Sequence, residues 1–303
     1  VKALPESMTV FERGWLSSNN VLFMSDEGTA IVDTGYASHA PQTLALVKQK
    51  LGARKLDLIV NTHLHSDHCG GNALLQENYA CRTLIPASEA HAVRAWDEEA
   101  LTFRATGQRC ERFGFTDTIE NGATLALGGL DWNVLGAPGH DPHSLMLHCP
   151  EKRVLISADA LWENGFGVIF PELEGDSGFA EERAVLKLIS TLDVDIVIPG
   201  HGAPFTDVAR ALDTASSRLD YLQADPARNA KNALKVLIVF KLMEVRAMSI
   251  DSVLAMTEQA RAMRAAADAL APPNERRRLI ETIIGELARG GSVNVNGAMV
   301  SAA

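Results

Sequence analysis

Three imidazoles and a carboxylate, His63, His65, His68 and Asp67, crowd into six residues directly behind the apolar run Leu56-Asp57-Leu58-Ile59-Val60. That run reads as a short buried strand, and Cys69-Gly70-Gly71-Asn72 reads as the turn into a helix. A strand end delivers its last side chains rigidly to one rim of a sheet, where a metal centre needs fixed donors. Imidazole nitrogen and carboxylate oxygen are donors for zinc, and also for iron or manganese. His63 and His65, two apart on an extended chain, can face the same side; Asp67 and His68, in the turn, can swing toward a second ion. The plain alternative is a histidine-rich solvated loop, and later strand ends decide between the two.

Those ends carry the same residue types. Trp132 to Leu135 leads through a Pro138-Gly139 turn to His140, the run Val154 to Ser157 ends at Asp159, and Val194 to Ile198 ends in Pro199-Gly200-His201. Each alone is weak, but four strand ends with ligand-type residues are a strong signal. The pattern HxHxDH, PGH, strand-end Asp and PGHG resembles the metallo-β-lactamase superfamily over roughly residues 8 to 210, and the Asp33-Thr34-Gly35 turn fits it too.

The resemblance implies a four-layer αββα sandwich holding two divalent metal ions, zinc first, with iron or manganese as alternatives. His63, His65 and His140 would hold one ion, Asp67, His68 and His201 the other, and Asp159 would bridge them. It further implies that a hydroxide shared by the ions attacks a thioester, ester, lactone or amide, and that Asp67 also handles the leaving group's proton. Asp33 and Thr62 are candidates to orient ligand imidazoles. His143 stands three residues after His140 where many family hydrolases place a histidine four residues on, so that loop is altered. Two other enzyme readings stand beside the hydrolase: a mononuclear iron enzyme of the persulfide dioxygenase kind, using His63, His140 and Asp159, and a nuclease. A metal-stabilised binding module is the non-enzymatic alternative.

From strand and helix alternation alone the chain is a mixed α/β protein of 303 residues, long enough for one large domain and a smaller one. The expected catalytic domain covers residues 1–225, and a mostly helical C-terminal domain covers 226–303. There, helical periodicity over Asn229 to Glu258, a Pro272-Pro273 break, a helix from Glu275 to Ala288 and a hairpin with an Asn296-Gly297 turn resemble a winged helix. Ser88 to Arg104 reads as one helix with Trp96 in the core. Trp15 to Asn20 and Trp162 to Phe170 are the expected pocket walls, and the apolar second stretch favours an acyl substrate over a polyphosphate. His39, His91 and His148 read as solvated or structural histidines, and Cys69 as a packing residue.

A net charge of −10 opposes a nucleic-acid partner, which would need basic residues to neutralise phosphates. The run Arg276-Arg277-Arg278 reads as a solvated helix face. No window approaches the ~18 apolar residues of a membrane span. Four unpaired-looking cysteines and the absence of a leader-like run at Val1 to Pro5 suit the cytoplasm. The expected partner is a small-molecule substrate, with a second copy of the chain as a candidate for assembly.

Overall fold

The computed structural model describes residues 3–303; Val1 and Lys2, where the expected first domain begins, lie outside the described residues. Six strands form the first sheet in sequence order: β1 (Met8–Phe11), β2 (Asn20–Ser25), β3 (Gly28–Val32), β4 (Leu58–Val60), β5 (Arg82–Pro86) and β6 (Asp117–Ile119). The second sheet runs β11-β10-β9-β8-β7, built from β7 (Thr124–Leu127), β8 (Leu130–Gly136), β9 (Leu145–Cys149), β10 (Val154–Ala158) and β11 (Ile196–Pro199). Pairing in the first sheet is antiparallel up to β3 and parallel from β3 to β6. In the second it is antiparallel except between β10 and β11.

Alternation along these strands creates the layers. Phe23, Val32, Val60, Trp132, Val134, Leu147 and Ile156 point inward and fuse the two sheets into one core. The opposite face of the first sheet, with Leu22, Ile31 and Ile59, meets Val47 and Leu51 of α1 (Ala40–Leu51) and Leu75 of α3 (Asn72–Tyr79). Between these helices lies the single turn α2 (Ser66–Cys69), and after β5 comes α4 (Ala90–Ala95). The outer face of the second sheet, with Met146, Leu155 and Val197, is covered by α6 (Phe179–Thr191) and α7 (Val208–Gln223), α6 being preceded by the short α5 (Pro171–Glu174). The result is helices, sheet, sheet, helices.

Asp225 caps the next helix by accepting the Ala227 amide, and α8 (Pro226–Val245) opens the C-terminal region. There follow β12 (Ala247–Ser249), α9 (Ile250–Gln259), α10 (Arg261–Asp268), α11 (Arg276–Arg289), β13 (Val293–Asn296) and β14 (Met299–Ala302). The three strands form a small sheet in the order β12-β14-β13. Among the described residues, no helix is long and apolar enough to cross a membrane.

Three local expectations need correction. The segment Ser88 to Arg104 is not one helix: α4 closes at Trp96, which is left-handed (φ 53°). The Asp97 carboxylate then accepts the Glu99 and Ala100 amides, a local turn that competes with helix continuation. Helical periodicity from Asn229 to Glu258 hides a break, because Arg246 takes a positive φ (71°) and β12 pairs with β14. Arg276 is not on a solvated face but 3 % exposed, tied to Glu258 and Asp268; Arg277 and Arg278 are exposed.

Candidate metal centre

β4 ends at Val60, and the next residues turn across the rim shared by both sheets. Asp33, in the left-handed region after β3 (φ 56°), anchors that turn by accepting the Thr62 amide (2.9 Å) and hydroxyl (2.7 Å). From there, His63, His65, Asp67 and His68 reach the same space as His140, beyond β8, Asp159, beyond β10, and His201, beyond β11. All seven are buried. Ligand-type atoms of His63, His65 and His140 lie within 4.8 Å of one another, and so do those of His63, His68 and Asp159 and those of Asp67, His68 and His201. The fold thus brings every residue of the expected ligand set together.

The remaining nitrogens of four rings are held from behind, which sets which nitrogen faces the cluster. His140 donates Nδ1–H to the Val168 carbonyl (2.5 Å), and His68 donates Nδ1–H to Asp33 (2.7 Å). His65 points Nε2 at Asp141 (3.3 Å) and leaves Nδ1 2.8 Å from His140 Nε2. His63 Nδ1 lies 3.1 Å from the Thr62 hydroxyl. Among the described residues, three buried ring nitrogens lack a hydrogen-bond partner: His63 Nε2, His201 Nδ1 and His68 Nε2, the last lying 3.4 Å from an Asp159 oxygen. Orphaned buried nitrogens cost free energy unless something occupies the space before them, so the residues fit bound metal.

The electrostatics agree. Burial, aided by the neighbouring rings of His68 and His65, holds His63 well below the usual histidine range, and burial with His140 brings His65 down to about 4. Both are therefore neutral, the state in which imidazole binds metal. Burial opposes ionisation of Asp159, but His68 and His201 outweigh it and hold the carboxyl well below its ordinary value. For His68 burial opposes the charge, yet Asp33 and Asp159 raise it well above the usual range. A cation bound there would take the place of that proton.

Glycines next to the cluster let the backbone come this close. A Cβ on Gly200 would collide with the Asp159 carboxylate, one on Gly167 with the His140 ring, and one on Gly139 with Glu182. An apolar pocket opens onto the cluster, lined by Trp15, Trp162, Phe166, Val168 and Phe170 and closed by Val236, Leu237 and Phe240 of α8. Trp15, 60 % exposed, stacks on His201 (5.5 Å between centroids, 13° between planes) and meets Trp162 edge-on. Trp162 also points its indole N–H at Asp159 (3.3 Å).

A model of the Metallo-beta-lactamase superfamily matches residues 13–201. The chain belongs to this superfamily. A hydroxyacylglutathione hydrolase of Rhodopseudomonas palustris (strain HaA2) is 31% identical over 188 residues, 62% of this chain and 63% of the relative. A human acyl-coenzyme A thioesterase is 26% identical over 216 residues, 63% of this chain and 76% of the relative. The first curated relatives are matched over 36% to 63% of their own length. The crystal structure of a metallo-beta-lactamase family protein from Thermus thermophilus has a TM-score of 0.60 at 18% identity, covering 99% of this chain and 100% of that one. The four-layer arrangement expected from the motifs is therefore the fold of this superfamily member.

Other expectations resolve individually. From Trp15 to Asn20, only Trp15 faces the pocket; Ser17, Ser18, Asn19 and Asn20 are buried ties, such as the Asn19 side-chain amide on the Pro199 carbonyl (2.9 Å). Phe166 belongs to the core and to the pocket wall at once. Thr62 bonds Asp33 and sits against His63. His143 stays outside the ligand groups and lines an adjoining polar cavity with Asp141, Glu89 and Arg261. His39 bonds Ser17, His91 is exposed, and the buried His148 lies near the Asp193 carbonyl. Cys69 is a buried free thiol.

Sequence reasoning missed Asp141 as the partner of His65, although it directly follows His140. It also missed Val236, Leu237 and Phe240, because pocket walls made of core-type residues on a helix look like core.

Proposed function

We propose that this protein is a metal-dependent hydrolase whose substrates are thioesters, with other activated acyl compounds as lesser ones. The observation that carries this reading is the convergence of three overlapping ligand groups, with three imidazole nitrogens lacking a hydrogen-bond partner, at the floor of an apolar pocket. His63, His65 and His140 would hold one ion, Asp67, His68 and His201 a second, and Asp159 would bridge. When bound, such a pair supplies a hydroxide at neutral pH and a Lewis acid for the acyl oxygen. The names of the relatives, a hydroxyacylglutathione hydrolase and an acyl-coenzyme A thioesterase, support a thioester over other acyl bonds.

The chain's own contribution is positioning and proton handling. The pocket walls hold the acyl group against the cluster and exclude bulk water. Water's oxygen adds to the acyl carbon, the carbon–sulfur bond breaks, and the thiolate takes up a proton. Asp67 is the candidate carrier. It faces His201 (3.1 Å), and although burial disfavours its charge, His201 and His68 keep its carboxyl below the ordinary value. We further propose that the chain divides near residue 225 into a catalytic unit and a wing-bearing unit, with α8 serving both.

The test is metal content measured beside hydrolysis of a panel of thioesters, lactones and phosphodiesters. Two ions per chain, thioester turnover, loss with a chelator and recovery on adding metal back are expected. Metal removal that leaves turnover intact would sink the proposal. One iron per chain with oxygen consumption would favour the dioxygenase reading through His63, His140 and Asp159.

A further inference from the structure

A separate cavity, of about 380 Å³, lies between α7 and α8 on the far side of the pocket lip, and its walls are basic: Arg218, Arg228, Lys231 and Lys235, with Asn232 between them. In a chain of net charge −10, this concentration of cations is out of character. Lys231 and Lys235 share one carboxylate, Glu286, at 2.7 Å each. Arg228 lies over the Tyr221 ring (4.0 Å) with only a 3.5 Å approach to Asp225. Arg218 has no carboxylate partner among the described residues. Its guanidinium lies over the Phe166 ring (5.5 Å), and Gly165 approaches closely enough that a Cβ there would sit 3.0 Å from its Cδ. The Asn232 amide nitrogen is buried and unpartnered. Four cations thus face two carboxylates, with a spare donor among them.

This cavity and the metal-facing pocket have no lining residue in common, but Phe166 and α8 lie between them. Phe166 lines the pocket and also carries Arg218. On α8, Asn232, Val236 and Phe240 are four residues apart and so lie on one stripe. Asn232 lines the basic cavity, while Val236 and Phe240 line the pocket. At 1.5 Å per residue the stripe runs roughly 12 Å, a distance that an extended thiol arm can span.

We propose that the basic cavity binds the phosphate end of a phosphorylated thiol, so that the preferred thioesters are those of a coenzyme A-type carrier. This rests on the thioesterase reading above. A phosphate suits clustered Arg and Lys donors. Glutathione would also bring an ammonium group, and no carboxylate among the described residues lines the cavity; Glu286, beside it, is already engaged by two of its lysines.

The experiment titrates the full chain with 3′,5′-ADP and, separately, with reduced glutathione by calorimetry, for the wild type and for Arg218→Gln and Lys235→Gln. It also compares kcat/KM for an acyl-coenzyme A with that for the same acyl group on N-acetylcysteamine. The expected result is 3′,5′-ADP binding weakened about tenfold by each variant, with acyl-coenzyme A losing more kcat/KM than the short thioester. Lys235 is half-buried and outside the core, so its variant remains informative even if Arg218→Gln loosens the lip. Absent 3′,5′-ADP binding, binding indifferent to both variants, or glutathione binding in its place overturns the subsite. Binding as expected with no thioester turned over leaves the subsite standing and removes the thioesterase reading.

Discussion

Gly167→Ala tests whether the backbone has been brought against a ligand imidazole for a purpose. Gly167 does not have a positive φ, so alanine suffers no backbone strain there and the whole effect is steric. The added methyl would lie 2.7 Å from His140 Cγ and 2.8 Å from Cε1, and would also meet Nδ1. Ordinary contact begins near 3.5 Å, so the ring must retreat by at least roughly 0.8 Å, Nδ1 being nearer still. It cannot simply tilt away, since Nδ1–H is fixed on the Val168 carbonyl at 2.5 Å. Metal–ligand distances tolerate about 0.2 Å, so the shift removes His140 as an effective ligand. Overpacking of this kind costs about 1–3 kcal/mol of stability, which a domain of this size survives. The variant should therefore fold, melt a few degrees lower, and lose metal affinity by about 10–100-fold, the range seen when support of a ligand is lost. Mass-spectrometric metal content after dialysis against a graded chelator, beside thioester turnover, reads this directly. Full metal occupancy with kcat/KM within about twofold of wild type would refute the argument, because about 1.4 kcal/mol is already tenfold.

Three further expectations follow from the same geometry. Asp33→Asn keeps a side chain that tolerates positive φ but removes the charge facing His68, so metal affinity should fall about 10–100-fold with little change in fold, read by the same dialysis. Trp15→Ala removes an exposed ring stacked on His201, so KM for long acyl chains should rise several-fold, by about 1–2 kcal/mol of lost contact, with less change in kcat; equal loss for short and long acyl groups would count against a wall role. Glu182 is fully buried, both carboxyl oxygens lack a partner, and burial, with Asp159 adding to it, holds its acid well above the ordinary range. The folded state then keeps a proton that the unfolded chain loses above roughly pH 4.5, so stability from this site is complete below that pH and declines as pH rises toward the folded value. Glu182→Gln removes that decline, at most about 1.4 kcal/mol per pH unit. The melting temperature of the variant relative to wild type should climb from pH 4 to pH 8, and a flat difference would show that Glu182 is ionised or bonded.

How much was legible in the sequence follows from what each residue type costs to bury. His63, His65, Asp67 and His68 stood out because polar, metal-binding side chains are costly to bury behind an apolar strand unless they share a ligand. His140, Asp159 and His201 joined them because each follows a short apolar run that reads as a strand. The double sheet came from the resemblance, since fully buried strands such as Leu145–Cys149 and Val154–Ala158 carry no alternation to say which face meets which layer. The burial of Arg276 was not legible because a helix pattern gives the face but not the neighbour; Glu258 and Asp268, which permit its burial, come from other elements.

The pocket was the least legible part, and for one reason. Val236, Leu237 and Phe240 are the residues any buried helix would carry, and their facing a cavity rather than a neighbour depends on how α8 lies against the lip at Phe166. The same helix carries Asn232 and the lysines, where apolar lining gives way to cations. In the sequence Lys235 merely interrupts the apolar stretch Leu234 to Met243. In the fold, Lys235 lines the basic cavity while the next residue, Val236, lines the apolar pocket. Reaction type is thus written in side chains that are rarely buried, whereas substrate choice is written in ordinary ones whose meaning comes from placement.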